Sequence, residues 1–306
     1  MKISLLFVLA ASAALGIALR SPLFVTVGGL IAFGALHNVL ELRYVAGRFS
    51  SLLTGRFLAV LLGLITAIVL CRLAALVVGE PARYAEILIG YAVLAAACVH
   101  GLRGWRLGAA LFTVVVALAG SLTFAQYHFV ILAHLHNLVP LFFLWEWAGR
   151  LRRPGLFRWT QVAWILVVPV LVLLGTFDFA LSSSGAFARF GIAPPGSSEL
   201  IGTRFLVVFA FLQTMHYFVW VYFLPRYAPE APTFLLGRRA WLLGLGLAAL
   251  LAIPFAIDFA SGRALYAAFA SYHAYLEFPV LLAAVAGGSQ LVFRETASDR
   301  QVPAAV

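Results

Sequence analysis

The chain has 306 residues, of which 64% are hydrophobic and only 10% charged, and its mean hydropathy is +1.03. A soluble domain is about 45–50% apolar and about 25% charged, so this composition excludes a water-soluble globular protein. The formal net charge of +10 would favour nucleic-acid binding in a soluble protein, but here the arginines lie in short loops between apolar runs. We therefore expect them to contact membrane lipid headgroups and expect no nucleic-acid partner.

Windows of about 19 residues predict ten membrane-spanning segments, which must be helices because backbone groups in lipid have to pair within their own segment. The predicted spans are 3–19, 23–42, 57–78, 84–102, 106–125, 128–148, 159–180, 204–224, 240–260 and 264–288. Lys2 followed by an apolar run also has the form of a signal peptide, but the run continues to Leu19, which favours a retained span. The predicted fold class is all-α, a polytopic helical bundle forming a single transmembrane domain over 1–306.

The distribution of basic residues predicts how the bundle is oriented. Fifteen of them, including Lys2, Arg294 and Arg300, lie at the termini or in loops after even-numbered spans, against five in loops after odd-numbered spans. Both termini are therefore predicted to be cytoplasmic, and the membrane is predicted to be the bacterial inner membrane. Arg72 lies deep in the third span. Such a charge is a functional candidate, although snorkelling or pairing with a helix-end carbonyl is the simpler interpretation.

Histidines are the chief polar residues of the predicted spans, and they fall only on even-numbered spans, which all run in the same direction. These are His37, His100, His134, His136, His216 and His273. At about 1.5 Å per residue, His136 lies about 12 Å, His273 about 14 Å, His216 about 18 Å and His37 about 21 Å from the start of its span. Four histidines therefore fit one layer. His100, at about 24 Å, lies nearest the cytoplasmic edge and is the weakest candidate.

His134 and His136 cannot easily face one site, since two residues turn a helix by about 200°. The triplet Leu36-His37-Asn38 is echoed by Leu135-His136-Asn137, which favours His136. A lone histidine in a membrane commonly hydrogen-bonds to a neighbouring helix. Four histidines at one depth, each on a separate helix, instead favour the binding of a metal ion or of haem. The predicted ligands are His37, His136, His216 and His273.

Carboxylates accompany these histidines. Glu41 follows His37 by four residues and Glu277 follows His273 by four, which places each pair on one helical face. Metal-bound imidazoles usually donate their second N–H to a carboxylate, so Glu41 and Glu277 are predicted to orient imidazoles or to replace a ligand.

Two further polar residues belong to the sixth span. Glu146 lies about 15 Å beyond His136 along the helix and is interpreted as a cytoplasmic-end partner for an arginine. Asn137, like Asn38, is predicted to hydrogen-bond across helices or to bound oxygen. Glu41, Glu277 and Asn137 are the candidate catalytic residues.

Neutral imidazoles with nearby carboxylates suit iron, copper or zinc. Iron is favoured because open coordination positions would activate dioxygen, while zinc, copper and haem remain open. A site inside the membrane would receive an apolar small molecule dissolved in the bilayer, together with O₂. The membrane desaturases and hydroxylases carry HxxxH and HxxHH boxes, and neither box occurs here.

Four segments carry a resemblance to a known family. They are Gly34-Ala35-Leu36-His37-Asn38-Val39-Leu40-Glu41, His136 with Glu146, Gln213-Thr214-Met215-His216-Tyr217 and Ser271-Tyr272-His273-Ala274-Tyr275-Leu276-Glu277-Phe278. In order and rough spacing they resemble the bacterial β-carotene dioxygenase (Brp/Blh) family. The resemblance implies iron held by the four histidines and oxidative cleavage of a polyene double bond. Asn38 and Glu41 stand where that family has Gly and Asp, and a second late histidine is absent, so another isoprenoid or lipid is an equal candidate for the substrate.

The sequence thus predicts an integral-membrane, non-haem iron oxygenase, with two rivals. Histidines on facing helices would also suit a haem-binding or quinone-linked electron carrier. Histidines and acids relay protons in proton-coupled transporters, whose helices often unwind at Gly or Pro. Prolines inside the predicted spans keep that rival open; they are Pro140, Pro169, Pro254 and Pro279.

Overall fold

The computed structural model describes residues 2–182, 192–228 and 237–286. Within these ranges the chain forms ten long helices and no strand. They are α1 (Lys2–Arg20), α2 (Pro22–Arg48), α3 (Gly55–Val78), α4 (Glu80–Gly101), α5 (Gly104–Thr123), α6 (Ala125–Trp147), α7 (Pro154–Leu173), α8 (Glu199–Tyr227), α9 (Gly237–Ile257) and α10 (Phe259–Ala286). Helices α7 and α8 each contain one π-helical stretch, at Ala163–Val167 and Phe218–Phe223.

The prediction of a helical, multi-pass membrane protein is confirmed. In the described part of the chain, nine helices, α1 to α9, are long and apolar enough to cross a membrane. Helix α10, with 28 residues, coincides with the tenth predicted span. The seventh boundary was wrong: α7 ends at Leu173, and not at 180, because Gly175 takes a left-handed conformation (φ +89°) before a short 3-10 turn at Asp178–Ala180.

Proline and glycine set the tight turns between the first helices. Pro22 and Pro81 lie in the first turns of α2 and α4, where a missing backbone N–H costs no helical hydrogen bond. Gly79 separates α3 from α4 with φ +75°, a backbone conformation that side chains rarely allow. The α3–α4 hairpin is therefore short, and residues equally far from Gly79 on its two arms lie at similar depths.

The four helices that carry the predicted ligands lie at the centre of the bundle. Helix α2 packs against α8, α9 and α10, and α6 packs against α8 and α10. Helices α3 and α4 cover α10 on another side, while α1 and α7 pack beside α8. Helix α5 contacts α4 and α6 and has no buried residue. The site is thus enclosed by the rest of the chain.

The segment after α7 is tied to α8 by an ion pair. All three guanidinium nitrogens of Arg204 donate: Nε and Nη2 donate to the two oxygens of Asp178, and Nη1 donates to the Leu173 carbonyl oxygen at 3.0 Å. The Arg204 guanidinium holds the pKa of the Asp178 carboxyl below its usual value. This contact fixes the end of α7 against the N-terminal half of α8.

Helices α2 and α9 approach each other closely at Gly244. A Cβ added to Gly244 would lie 2.9 Å from the Cα of Leu36 and 2.7 Å from its Cδ1. Leu36 is buried and directly precedes His37. Any side chain at Gly244 must therefore push the backbone beside the first histidine.

We expect Gly244→Ala to lower the free energy of unfolding by about 1–3 kcal/mol, the usual effect of overpacking a filled core. Gly246→Ala, on the same helix with nothing within 4 Å of its added Cβ, is the matched control and should be neutral or slightly stabilising. Thermal unfolding in one detergent measures both variants. Equal midpoints for the two would show that α2 and α9 are not in contact at Gly244.

Candidate metal centre

Four imidazoles converge from four different helices. His37 on α2, His136 on α6, His216 on α8 and His273 on α10 each offer a ring nitrogen, and these nitrogens all lie within 4.8 Å of one another. The Nε2 atom of His273 lies 3.0 Å from Nε2 of His136 and 3.2 Å from Nε2 of His37. The structure thus brings together the four residues predicted from depth, while their binding of a metal stays a prediction.

Hydrogen bonds fix two of the imidazoles with their Nε2 lone pairs facing inward. Nδ1–H of His37 donates to the Phe33 carbonyl oxygen at 3.0 Å, which is the preceding turn of the same helix. Nδ1–H of His136 donates to Oε2 of Glu277 at 2.7 Å. A neutral imidazole whose Nδ1 carries the proton has its lone pair on Nε2, the form in which histidine binds metals.

Each of the two predicted carboxylates lies beside a histidine of another helix, and not beside the histidine of its own helix. Glu277 accepts from His136, and Oε2 of Glu41 lies 3.8 Å from Nε2 of His216. The i,i+4 spacing therefore predicted the right face of α2 and α10, while the partners of the two carboxylates depend on how the helices pack. The carbonyl oxygen of Phe33, one turn before His37 on α2, accepts the Nδ1–H of that imidazole.

The cluster contains several unpaired polar atoms. Both oxygens of Glu41, both ring nitrogens of His216, Nδ1 of His273 and Oε1 of Glu277 are buried and have no hydrogen-bond partner among the described residues. The carboxyl groups of Glu41 and Glu277 are also close enough to interact with each other. Burying such groups unpaired is costly, and a divalent ion among them would compensate both carboxylates.

The spacing of the nitrogens fits a transition metal. With metal–nitrogen bonds of about 2.0–2.1 Å, neighbouring ligand nitrogens lie about 3 Å apart and opposite ones about 4 Å apart. The observed Nε2 separations of 3.0 and 3.2 Å match neighbouring ligands. Shifts of a few tenths of an ångström would complete the set, and four imidazoles leave room for further ligands around an octahedral ion.

The other candidate residues lie outside the cluster. Nε2–H of His134 donates to the Ile192 carbonyl oxygen at 3.1 Å, and the His100 ring stacks on Phe57 at 3.9 Å between centroids. Glu146 pairs with Arg48 at 2.5 Å, as the interpretation of a cytoplasmic-end partner expected. Asn137 donates to the Ala133 carbonyl oxygen of its own helix at 3.2 Å, and not across helices. Its predicted contact with bound oxygen stays untested.

Arg72 neither snorkels nor binds a helix end, so that interpretation was wrong. Its guanidinium pairs with Oε1 of Glu86 on α4 at 2.8 Å and donates to the Ala267 carbonyl oxygen, inside α10, at 2.7 Å. The Tyr275 hydroxyl donates to the same Glu86 oxygen at 2.9 Å. This buried network joins α3, α4 and α10, the helix that carries His273 and Glu277.

A cavity of about 810 Å³ leads from the histidines to one end of the bundle. All four histidines line it, its walls are chiefly apolar side chains of α2, α3, α6, α8 and α10, and its far end reaches Ile192–Ser197. That segment lies directly before α8, which begins at Glu199. The volume lies within the range typical of small-molecule sites, about 300–1,000 Å³.

The hydrogen bond from His136 to Glu277 gives a direct test of the cluster as a metal site. We expect Glu277→Ala to weaken metal binding by about 10–100-fold, as is usual when the partner of a metal-bound imidazole is lost. Glu146→Gln, which alters an acid near the C-terminal end of α6 that pairs with Arg48, should leave metal affinity unchanged. Competition with a chelator of known affinity measures both. Equal affinity in the two variants would contradict this role for Glu277.

Comparison of the chain with models of protein families, with curated proteins and with solved structures finds no match. The assignment of a function therefore depends on the chemistry of the site itself.

Proposed function

We propose that the protein is an integral-membrane, non-haem iron oxygenase that acts on an apolar substrate dissolved in the bilayer, such as a carotenoid, another isoprenoid or a lipid. The observation that carries the proposal is the convergence of four buried imidazoles, from four helices, on the inner end of a large cavity. We place the protein in the bacterial inner membrane with both termini cytoplasmic, on the arginine distribution alone.

The choice of iron follows from the donor set. Four imidazoles without thiolate disfavour the soft-metal sites that bind through sulfur, and Cys71 and Cys98 lie outside the cluster. Iron would supply the binding and activation of O₂ at positions that the imidazoles leave open. Glu277 holds the His136 ring in orientation, and Glu41 adds a negative charge beside His216.

The reaction class that we propose is oxidative cleavage of a carbon–carbon double bond. One C=C bond and the O–O bond break and two C=O bonds form, with one oxygen atom of O₂ in each product. The electrons therefore balance without an external reductant. The chain's part is to bind the polyene in the apolar cavity, keep bulk water from it and hold the reacting bond beside the histidines.

A second cavity beside the first supports a membrane-dissolved substrate. It has a volume of about 740 Å³, is almost wholly apolar and lies between α4, α5, α6 and α10. Leu132 lines both cavities, which are therefore adjacent. Because α5 has no buried residue, this side of the bundle faces lipid.

The geometry favours a single ion over haem. A haem bound by two histidines needs a flat space the width of a porphyrin between two opposing imidazoles. The rings of His136 and His216, at 4.6 Å between centroids, and those of His37 and His273, at 4.8 Å, leave no such plane. The four-histidine cluster would have to open before a porphyrin could enter.

Purified protein tests the proposal. We expect about one iron per chain, an absorption spectrum without a Soret band, and O₂ consumption that depends on an added polyene and yields two carbonyl products. Zinc or copper at full occupancy with no O₂ uptake would reject the oxygenase. Solute transport by metal-free protein in proteoliposomes would instead favour the proton-coupled transporter.

A further inference from the structure

Two buried polar atoms on the cavity wall, away from the metal cluster, lack a partner. They are Oγ1 of Thr26 on α2 and Oε1 of Gln213 on α8. Both residues are only 4% exposed, and both line the cavity that holds the four histidines. Unpaired buried polar atoms are uncommon because each loses its hydrogen bonds to water, so these two indicate a polar ligand group in a cavity whose walls are chiefly apolar but also include Arg72, Arg83 and Glu86.

Neighbouring groups fix which end of the Gln213 amide is open. Nε2–H donates to the Tyr217 hydroxyl oxygen at 2.8 Å and lies 3.5 Å from the Thr26 carbonyl oxygen. The reversed amide would set one carbonyl oxygen against another, which is unfavourable. Oε1 is therefore the end that faces the unfilled position, and it can only accept a hydrogen bond.

Tyr217 joins this polar position to the metal centre. Its ring lies 4.6 Å from the His37 ring, and a Cβ added to Gly29 would lie 3.3 Å from its Cε2 atom, so the ring is closely packed. The tyrosine hydroxyl accepts from Gln213 and interacts with Tyr266. Gln213 precedes His216 by one helical turn, about 4.5 Å along α8.

We propose that Thr26 and Gln213 form a subsite for the hydroxyl group of a neutral, largely apolar substrate. A hydroxyl both donates and accepts, so it can donate to Oε1 of Gln213 and accept from Oγ1–H of Thr26. A carboxylate or an ether oxygen can only accept and leaves Oε1 of Gln213 unpaired. A pure hydrocarbon satisfies neither atom. The subsite therefore selects alcohols over hydrocarbons, ethers and anions of the same shape.

The subsite also determines which bond meets the histidines. Because it lies about one helical turn from the cluster, a substrate held there by its hydroxyl presents a bond near its hydroxylated end. This consequence rests on the proposed oxygenase function, whereas selective binding of the alcohol does not.

Binding without turnover tests the subsite. The probes are all-trans-retinol, a fluorescent polyene alcohol, and retinyl methyl ether, which lacks only the donor hydrogen. Both are titrated under argon into purified full-length protein. We expect the wild type to bind retinol about tenfold more tightly than the ether, the size of one hydrogen bond that would otherwise be left unmade. Gln213→Leu, which removes the acceptor of the hydroxyl hydrogen, should bring the ratio close to one. Thr26→Val, which keeps the side-chain shape, should weaken the binding of both probes, because the alcohol oxygen and the ether oxygen each lose the same donor.

Thr113→Val is the matched control, because Thr113 is exposed on α5 and donates to the Ala109 carbonyl oxygen. It should keep the wild-type ratio. Equal binding of the two probes by the wild type, the same ratio in Gln213→Leu and Thr113→Val, or retinol binding by Thr26→Val as tight as by Thr113→Val would overturn the proposal and leave an ordered water as the occupant. Metal content and O₂ uptake are measured separately: protein that prefers retinol but holds no iron rejects only the oxygenase, and active iron protein that does not discriminate rejects only the subsite.

Discussion

Purified His136→Ala and His273→Ala proteins are expected to retain less than about a tenth of the metal bound by the wild type. In each case three imidazoles remain, and the Nε2 atom that lies at 3.0 Å from its partner is lost. His136→Ala also leaves Glu277 buried without the imidazole that it accepts from. Metal analysis of protein purified in parallel by one procedure gives the ratio. Because a ligand that binds only the folded state stabilises it, the wild type should also unfold at a lower temperature after treatment with chelator.

His134→Ala is the closest control for this result. His134 lies two residues from His136 on the same helix but donates to the Ile192 carbonyl oxygen. The His134→Ala variant should therefore bind as much metal as the wild type. His100→Ala should do the same, since that ring stacks on Phe57. Equal metal content in His134→Ala and His136→Ala would contradict the assignment of the centre.

Replacing Arg72 with methionine is expected to lower the free energy of unfolding by about 3–5 kcal/mol, the usual loss when one partner of a buried ion pair is removed. The side chains of Arg72 and Glu86 are only 20% and 5% exposed, and the variant leaves the Glu86 carboxylate in an apolar surrounding without its cation. It also leaves the Ala267 carbonyl oxygen without its arginine donor. Denaturation of matched samples in detergent measures the change.

The double variant Arg72→Met, Glu86→Gln provides the control for Arg72. It removes both charges, so it should recover a large part of the loss caused by Arg72→Met alone. A double variant as unstable as the single one would show that packing of the arginine, and not its charge, stabilises the α3–α4–α10 contact. Arg158→Met, at an exposed position on α7 where the guanidinium contacts the Trp145 ring, should change stability little.

The depth of the four histidines could be predicted from the sequence because it depends only on span limits and helical rise. The four histidines all lie on even-numbered helices, which run in one direction, so their depths are counted from the same side of the bundle. The choice of His136 over His134 could also be predicted, since side chains two residues apart on a helix point in directions that differ by about 200°. These are properties of single helices.

Pairings between helices required the structure. Glu277 meets His136 and Glu41 lies beside His216, and both depend on how each helix is rotated against its neighbours. The rotation of one helix against another cannot be predicted from the spacing of residues along the chain. The unpaired atoms of Thr26 and Gln213 are likewise visible only once α2 and α8 are placed together.

The partner of Arg72 was missed although the sequence held a signal for it. Arg72 lies seven residues before Gly79 and Glu86 lies seven residues after it. A tight turn at Gly79 places such residues side by side on antiparallel helices. A search for opposite charges placed symmetrically about a short hairpin turn would have found this pair.

The separation of the four histidines along the chain has a consequence for biosynthesis. His37 enters the membrane with α2, but the cluster lacks His273 and Glu277 until α10, the last described helix, has been made and inserted. A ribosome still occupied with α9 therefore carries a chain that cannot form the complete centre. On the proposed function, metal binding by all four imidazoles would have to follow the insertion of α10, and a chain cut short after α9 should not hold the metal.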